Sequence, residues 1–234
     1  MEFSSLSQNQ VLVKTNSFLR SVYNWMAIAL ALTGFTAYYV SHNEALIQLI
    51  YGTPGLIMML IFAELGFVYF LSARIQKIKA TTATALFTIY SILNGITLSF
   101  IFLAYTSTSI ASTFMICALT FLVCSIYGMV TKKDLTSLGG FMIMGLIGII
   151  IASIVNIFIQ SSAMQMIISY IGVIVFIGLT AYDTQKLKNM SVTIPDNASG
   201  AMVRKGALMG ALTLYLDFIN LFIMMLMIFG GNRD

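Results

Sequence analysis

The sequence predicts an all-α membrane protein, a bundle of seven transmembrane helices that holds a few acidic side chains in an apolar interior. Three observations predict it. Hydrophobic residues make up 59% of the 234 residues, while Asp, Glu, Lys and Arg together make up 9%, against about 25% charged in soluble domains. A soluble surface cannot be covered with so little charge, so the surface is built for lipid. Apolar runs then recur at the length a bilayer needs, roughly 20 residues for a core of about 30 Å. Finally, the basic residues gather in alternate loops.

Spans are expected at Val22–Val40, Gly55–Ala73, Ala80–Ala104, Ile110–Val130, Leu138–Ile159, Ala163–Ala181 and Gly206–Phe229. No sustained run alternates with period two, which excludes a β-barrel reading. Both prolines, Pro54 and Pro195, fall between expected spans. The domain reading is a cytoplasmic N-terminal segment 1–21, a membrane domain 22–230 and a tail 231–234. The first 20 residues are polar, carry Lys14 and Arg20, and lack the apolar centre of a cleavable secretory signal.

Orientation follows from the basic residues, which stay on the cytoplasmic side. Lys14 and Arg20 precede span one; Arg74, Lys77 and Lys79 follow span two; Lys132 and Lys133 follow span four; Lys186, Lys188, Arg204 and Lys205 follow span six. These are eleven of the 12 basic residues; the other, Arg233, is at the C-terminus. The N-terminus is therefore expected in the cytoplasm and, with seven spans, the C-terminus outside. A re-entrant last segment would instead bring Arg233 inside. The net charge of +4 belongs to this topology and does not point to nucleic acid.

Small residues mark expected helix contacts. Gly206 and Gly210 form a GxxxG, and Gly139, Gly140, Gly145 and Gly148 crowd span five; such residues let helices approach closely. Cys117 and Cys124 lie seven residues apart on one helix, about 10 Å in rise, beyond disulfide reach.

The chemistry-bearing residues are three acids within or beside spans: Glu64, Asp183 and Asp217. An Asp at the centre of a span costs about 2.5–3.5 kcal/mol on insertion scales and ordinarily faces a cavity or a partner. Asp183 has an ordinary alternative, a carboxylate near the cytoplasmic end of its span pairing with Lys186 or Lys188. Asp217 has no basic residue within a turn or two on its helix, and Thr213 and Asn220 share its face at i−4 and i+3. That polar stripe reads as a cavity lining or an interhelical network. For Glu64, a structural hydrogen bond and a pathway role both stay open. Two carboxylates brought together share a single proton, and losing it leaves hard oxygen ligands suited to calcium. Spacing alone does not join Asp183 to Asp217.

At these residues the chain resembles the Bax inhibitor-1 family, in its bacterial YccA-like branch. The carriers are AYDTQKLKNM from Ala181 to Met190 and LYLDFINLF from Leu214 to Phe222. KKDLTSLG from Lys132 to Gly139 and NGITLSFIF from Asn94 to Phe102 support them. The resemblance covers about Tyr23 to Gly230. It implies seven helices with six around a central seventh, and a proton-sharing pair made by Asp183 and Asp217 near the cytoplasmic side. It also implies a pathway role for Glu64 and a latch onto the pair by Arg74. Some members of the family are pH-sensitive calcium leak pathways; bacterial relatives are linked to a membrane-bound protease, and animal and plant members to cell-death control. This chain departs from some relatives at Met227, where they carry a basic residue, and in its longer stretch Asn189–Gly206.

The resulting expectation is a pH-sensitive leak for calcium or another cation, in a cell inner membrane, gated by the aspartate pair. The alternative is a non-transporting regulator that binds another membrane protein. Neither reading calls for a catalytic residue, a cofactor or a tightly bound metal; the expected partners are the lipid bilayer, cations and a membrane protein. An intramembrane aspartyl protease fails because Asp217 follows Leu214-Tyr215-Leu216 in place of GxG, and no PAL motif follows. A retinal protein needs a buried lysine in the last span, where Lys205 stands only at its mouth. A metal enzyme needs ligand clusters, and His42 is the sole histidine. No GxxxxGK[ST] phosphate loop is present.

Overall fold

A computed structural model describes residues 8–195 and 197–231 of the chain. The described residues form nine helices and no strand: α1 (Gln8–Ser41), α2 (Glu44–Gly52), α3 (Leu56–Arg74), α4 (Ala80–Thr97), α5 (Phe100–Ala104), α6 (Ser107–Val130), α7 (Thr136–Ile159), α8 (Ser162–Thr193) and α9 (Gly200–Phe229). Arg233, and with it the expected tail beyond residue 231, lies outside the described residues, as do the first seven residues of the expected N-terminal segment.

Among the described residues, six stretches are long and apolar enough to cross a membrane: Leu56–Arg74, Ala80–Ala104, Ser107–Val130, Thr136–Ile159, Ser162–Thr193 and Gly200–Phe229. The remaining expected span, Val22–Val40, lies inside α1, where Tyr23, Asn24, Trp25, Thr33, Thr36, Tyr38 and Tyr39 thin the apolar run. Phe62, Leu65, Tyr69, Met115, Val123, Met144, Ile157 and Phe158 are among many large apolar side chains left exposed, as a lipid-facing surface requires. Burial separates the helices by role. Only 6% of the apolar part of Leu56–Arg74 is buried, against 56% of that of Gly200–Phe229; α3 is mostly exposed and α9 mostly buried.

Several boundaries differ from those expected, each for a local reason. α1 begins at Gln8, so the described part of the polar N-terminal segment continues the span as helix. Ala80–Ala104 is interrupted at Leu98–Ser99, where Ser99 donates its hydroxyl back to the Ile96 carbonyl at 2.7 Å. The loop after span one contains α2, capped by Asn43, whose side chain accepts from the Leu46 amide. Gly55, at φ +80°, turns the chain from α2 into α3 in a conformation that favours glycine. The long stretch Asn189–Gly206 is mostly helix, since α8 runs to Thr193 and α9 starts at Gly200.

The chain divides into two compact units: residues up to Phe100 with Leu187–Leu212, and Ile101–Lys186 with the residues from Thr213 on. In unit one, α4 packs against α1 and α3. The α1–α4 approach is set by Gly95, where a Cβ would stand 2.6 Å from the Thr33 carbonyl oxygen and 2.7 Å from Thr36 Cβ. Beside it the Thr33 hydroxyl donates to the Ser91 carbonyl at 2.8 Å. Val22 of α1, Leu187 of α8 and Gly210 of α9 also meet, a Cβ at Gly210 falling 2.7 Å from Leu187 and 3.1 Å from Val22. Ser191 donates to Thr15 at 2.9 Å, and the Lys14 ammonium donates to the Ile194 carbonyl.

In unit two, α8 is the helix that glycines approach. Gly128 of α6 backs onto the Ala181 carbonyl, Gly139 of α7 onto the Tyr182 ring, and Gly145 onto Val175. Gly178 and Gly172 of α8 accept Met142 and Met224 in turn. Gly140 and Gly148 have open space instead, so only part of the glycine crowding on α7 serves packing within the chain.

Gly95→Ala is expected to destabilise the protein by about 1–3 kcal/mol, since both obstructing groups belong to a packed helix. Gly66→Ala, with nothing within 4 Å of the added carbon, should leave stability unchanged or slightly raised. Thermal unfolding in one detergent checks the pair.

Candidate functional site

The site is built in unit two, where α6 packs against α8 and against α9. On α8 the contact is polar and tight: Ser125 Oγ of α6 lies 3.2 Å from Thr184 Oγ1, both buried. On α9 the contact is aromatic. Phe218 meets Phe114 and Phe121 edge-on at 5.4 and 5.5 Å between centroids, and Cys117 Sγ donates to the Phe218 carbonyl at 3.8 Å. Thr184 and Phe218 directly follow Asp183 and Asp217. The same helix therefore braces both acid-bearing positions.

Asp183 is 8% exposed and Asp217 is 5% exposed. The two carboxylates lie within electrostatic reach of each other, and Lys186 acts on Asp183 as well. Lys186 also places its ammonium 5.9 Å from the centroid of the Tyr182 ring. Asp183 thus feels the charge of both groups expected as its partners, Lys186 and Asp217. Asp183 is well inside α8, ten residues before its end at Thr193. The Oδ2 atom of Asp217 is buried without a hydrogen-bond partner, a condition that costs roughly 1–3 kcal/mol for a polar group and more for a charged one.

The polar stripe on α9 is only partly a network. Asn220 donates back to the Leu216 carbonyl of its own helix at 2.8 Å, so its amide serves the helix. Thr213, like Asn220, is half-buried. Further along α9, Met227 accepts at sulfur from Gln165 Nε2 at 3.0 Å and from Ser169 Oγ at 3.5 Å. Met227 is thus held by two neutral donors of α8.

Glu64 and Arg74 belong to unit one. Glu64 Oε1 accepts from Thr97 Oγ1 at 2.6 Å and Oε2 from Asn94 Nδ2 at 3.3 Å. Of its two sequence readings, the structural hydrogen bond is present. Arg74 stands exposed at the C-terminal end of α3. His42 is exposed beside Tyr38, and among the described residues no group of three or more His, Cys, Asp or Glu is placed to hold a metal. Both cysteines are free.

One residue was missed by sequence reasoning. Gln185, buried on α8, accepts from the Leu135 amide at 2.8 Å and donates to the Lys133 carbonyl at 2.8 Å. It ties the α6–α7 loop to the helix that carries Asp183, two residues away. Its signal was position: Gln185 and the loop residues both fall within the motif strings AYDTQKLKNM and KKDLTSLG. In that loop Asp134 Oδ1 accepts from the Thr136 amide at 2.9 Å and its hydroxyl at 2.6 Å. These two bonds hold the exposed Asp134 carboxylate below the ordinary carboxylate range.

The family model described as inhibitor of apoptosis-promoting Bax1 matches residues 15–234. This chain belongs to the Bax inhibitor-1 family. Among its relatives, the inner membrane protein YbhL of Escherichia coli K12 is 50% identical over 217 residues, covering 93% of this chain and 92% of that protein. An uncharacterized protein of Borreliella burgdorferi is 44% identical over 227 residues, covering 97% of each. One of Deinococcus radiodurans is 39% identical over 234 residues, covering 100% of this chain and 98% of the relative. The stretch matched by the Bax inhibitor-1 model includes all three acids and the Gln185 clamp. The names of these relatives describe membrane or uncharacterized proteins, and none is the name of an enzyme.

Two outcomes are expected around the α6–α7 loop. Gln185→Leu strips the buried Leu135 amide of its acceptor and should speed hydrogen exchange at residues 133–139, equivalent to about 1–3 kcal/mol of local protection. Asp134 contributes its capping above the ordinary carboxylate range, and loses it as pH falls through its lowered folded value. Protection of the first turn of α7, corrected for intrinsic rate, should therefore fall at acidic pH in the wild type. It should lose that dependence in Asp134→Asn.

Proposed function

We propose that the protein is a pH-sensitive leak pathway for calcium or another cation in a cell inner membrane, gated by Asp183 and Asp217 sharing one proton. The observation that carries this reading is the buried Oδ2 of Asp217, unpartnered and within reach of a second carboxylate. A single shared proton gives that oxygen a hydrogen-bond partner and removes one of two like charges. When the proton leaves, the pair becomes a doubly charged cluster of hard oxygens. A divalent cation is then the natural counter-charge. Protonation closes the site and deprotonation opens it.

The wider reading adds the finer parts of the architecture. The stretch Val22–Val40 of α1 is a seventh span, long enough at about 1.5 Å per residue, and α9 is the helix the others enclose, in keeping with its large buried share. The basic loops put the N-terminus in the cytoplasm. The inner-membrane location follows the name of the Escherichia coli relative. Glu64, with Thr97 and Asn94, contributes a polar element to the pathway, and Arg74 acts as the latch on the closed state.

The alternative is a regulator that binds another membrane protein without transporting. It is favoured by one feature: Leu12 and Val13 are 59% and 70% exposed on the part of α1 ahead of the apolar span, where lipid does not account for them.

Calcium entry into liposomes carrying the purified protein separates these readings. Flux should rise with pH in the wild type, and Asp217→Asn and Asp183→Asn should each abolish that dependence while eluting as the wild type does. Flux and pH profile unchanged in both variants would overturn the gating role. No flux at any pH, with a photo-crosslinker at Leu12 capturing a defined membrane protein in cells, would favour the regulator.

A further inference from the structure

The turn between α3 and α4 is held from far along the chain. Lys205 Nζ donates to the carbonyl oxygens of Gln76 at 2.9 Å and Ile78 at 3.4 Å, and Ile75 is buried beneath the turn. Around this anchor Arg74, Lys77 and Lys79 are exposed within six residues. The neighbouring residue on α9, Arg204, lays its guanidinium 5.3 Å from the centroid of Trp25. Tryptophan concentrates at the headgroup level of a bilayer, where its ring is amphipathic. Trp25 therefore marks the depth of Arg204, and Arg204 marks that of Lys205 and the turn it holds.

Among the described residues, charge at this end of unit one is of one sign. The described acids of the unit are Glu44, which opens α2 at the other end of the α1 span, and Glu64. Both oxygens of Glu64 are already engaged by Thr97 and Asn94. No described acid of the unit thus offsets Lys77, Lys79 and Lys205. Cations at headgroup depth without such partners attract lipid phosphate, at a gain per lysine that falls off within a Debye length. The order of the turn matters as well. An ammonium tied to two carbonyls keeps one N–H for a third acceptor, and the tie holds the turn's backbone in one place.

We propose that the α3–α4 turn, with Lys205, is a binding site for the headgroup of an anionic phospholipid of the leaflet it faces. Lys77 and Lys79 supply the charge that selects the anionic headgroup, and Lys205 both shapes the turn and contacts the phosphate. The site rests on the membrane reading above only for which leaflet supplies the lipid. Its selectivity is a property of the cluster itself.

Native mass spectrometry of the purified full chain, with phosphatidylglycerol and phosphatidylcholine of matched acyl chains, tests it. The wild type should retain phosphatidylglycerol preferentially, and the double variant Lys77→Gln/Lys79→Gln should lose that preference by about tenfold or more. A control pair, Lys132→Gln/Lys133→Gln, should keep it. Equal retention of the two lipids by the wild type would overturn the site, without requiring any variant to fold. A loss as large in the control pair would reduce it to bulk charge and overturn it too. Labelling of Lys79→Cys with an impermeant maleimide, in vesicles of each orientation, reads the leaflet separately. Labelling from the outer face alone would sink the orientation and leave the detergent lipid preference standing.

Discussion

Asp217 keeps a carboxyl group where neither water nor lipid solvates it, and one of its oxygens has no hydrogen-bond donor. A carboxyl in that position is retained only if a proton, a second polar group or a cation completes it. The packing around it answers to that constraint. α6 braces both helices that carry the acids, through Ser125 on one side and Phe114 and Phe121 on the other.

The close approaches in unit two serve the same end. Gly128 and Gly139 let α6 and α7 reach the backbone and ring immediately before Asp183, which limits how far α8 can rotate. Gln185 then fixes the α6–α7 loop to α8 through a neutral amide. Because that clamp carries no charge, it holds whatever the protonation of the pair. Asp134, which caps α7 from the same loop, is charged but exposed, so its titration is confined to an acidic range outside the site. The loop is thereby insulated from the electrostatics it sits beside.

Much of this was legible in the sequence. Span positions were readable because an apolar run of bilayer length seldom occurs outside a membrane, and the three acids stood out because each lies within or beside such a run. What could not be read was local. The helical extensions at Gln8–Arg20, Leu187–Thr193 and Gly200–Lys205 are polar enough to pass for loops, and the first two pack on one another, as at Thr15–Ser191. Asn220 looked like part of a polar stripe, since periodicity gives the face of a residue but not whether its amide turns back to its own helix. That the charge of Asp183 reaches Asp217 was beyond spacing altogether. It needed either the family resemblance or the shared contact with α6.

Glu64 and Asp217 are both acids in apolar helices, but their oxygens are treated differently. Each Glu64 oxygen accepts from a side chain of α4, which orients the carboxylate and satisfies it in place. Asp217 is more deeply buried and has an oxygen left over. A satisfied carboxylate can line a path and remain as it is, whereas one with an open oxygen must change its partner when conditions change. In the proposed leak the sensing role would therefore fall to Asp217 with Asp183, and Glu64 would serve as a fixed polar element.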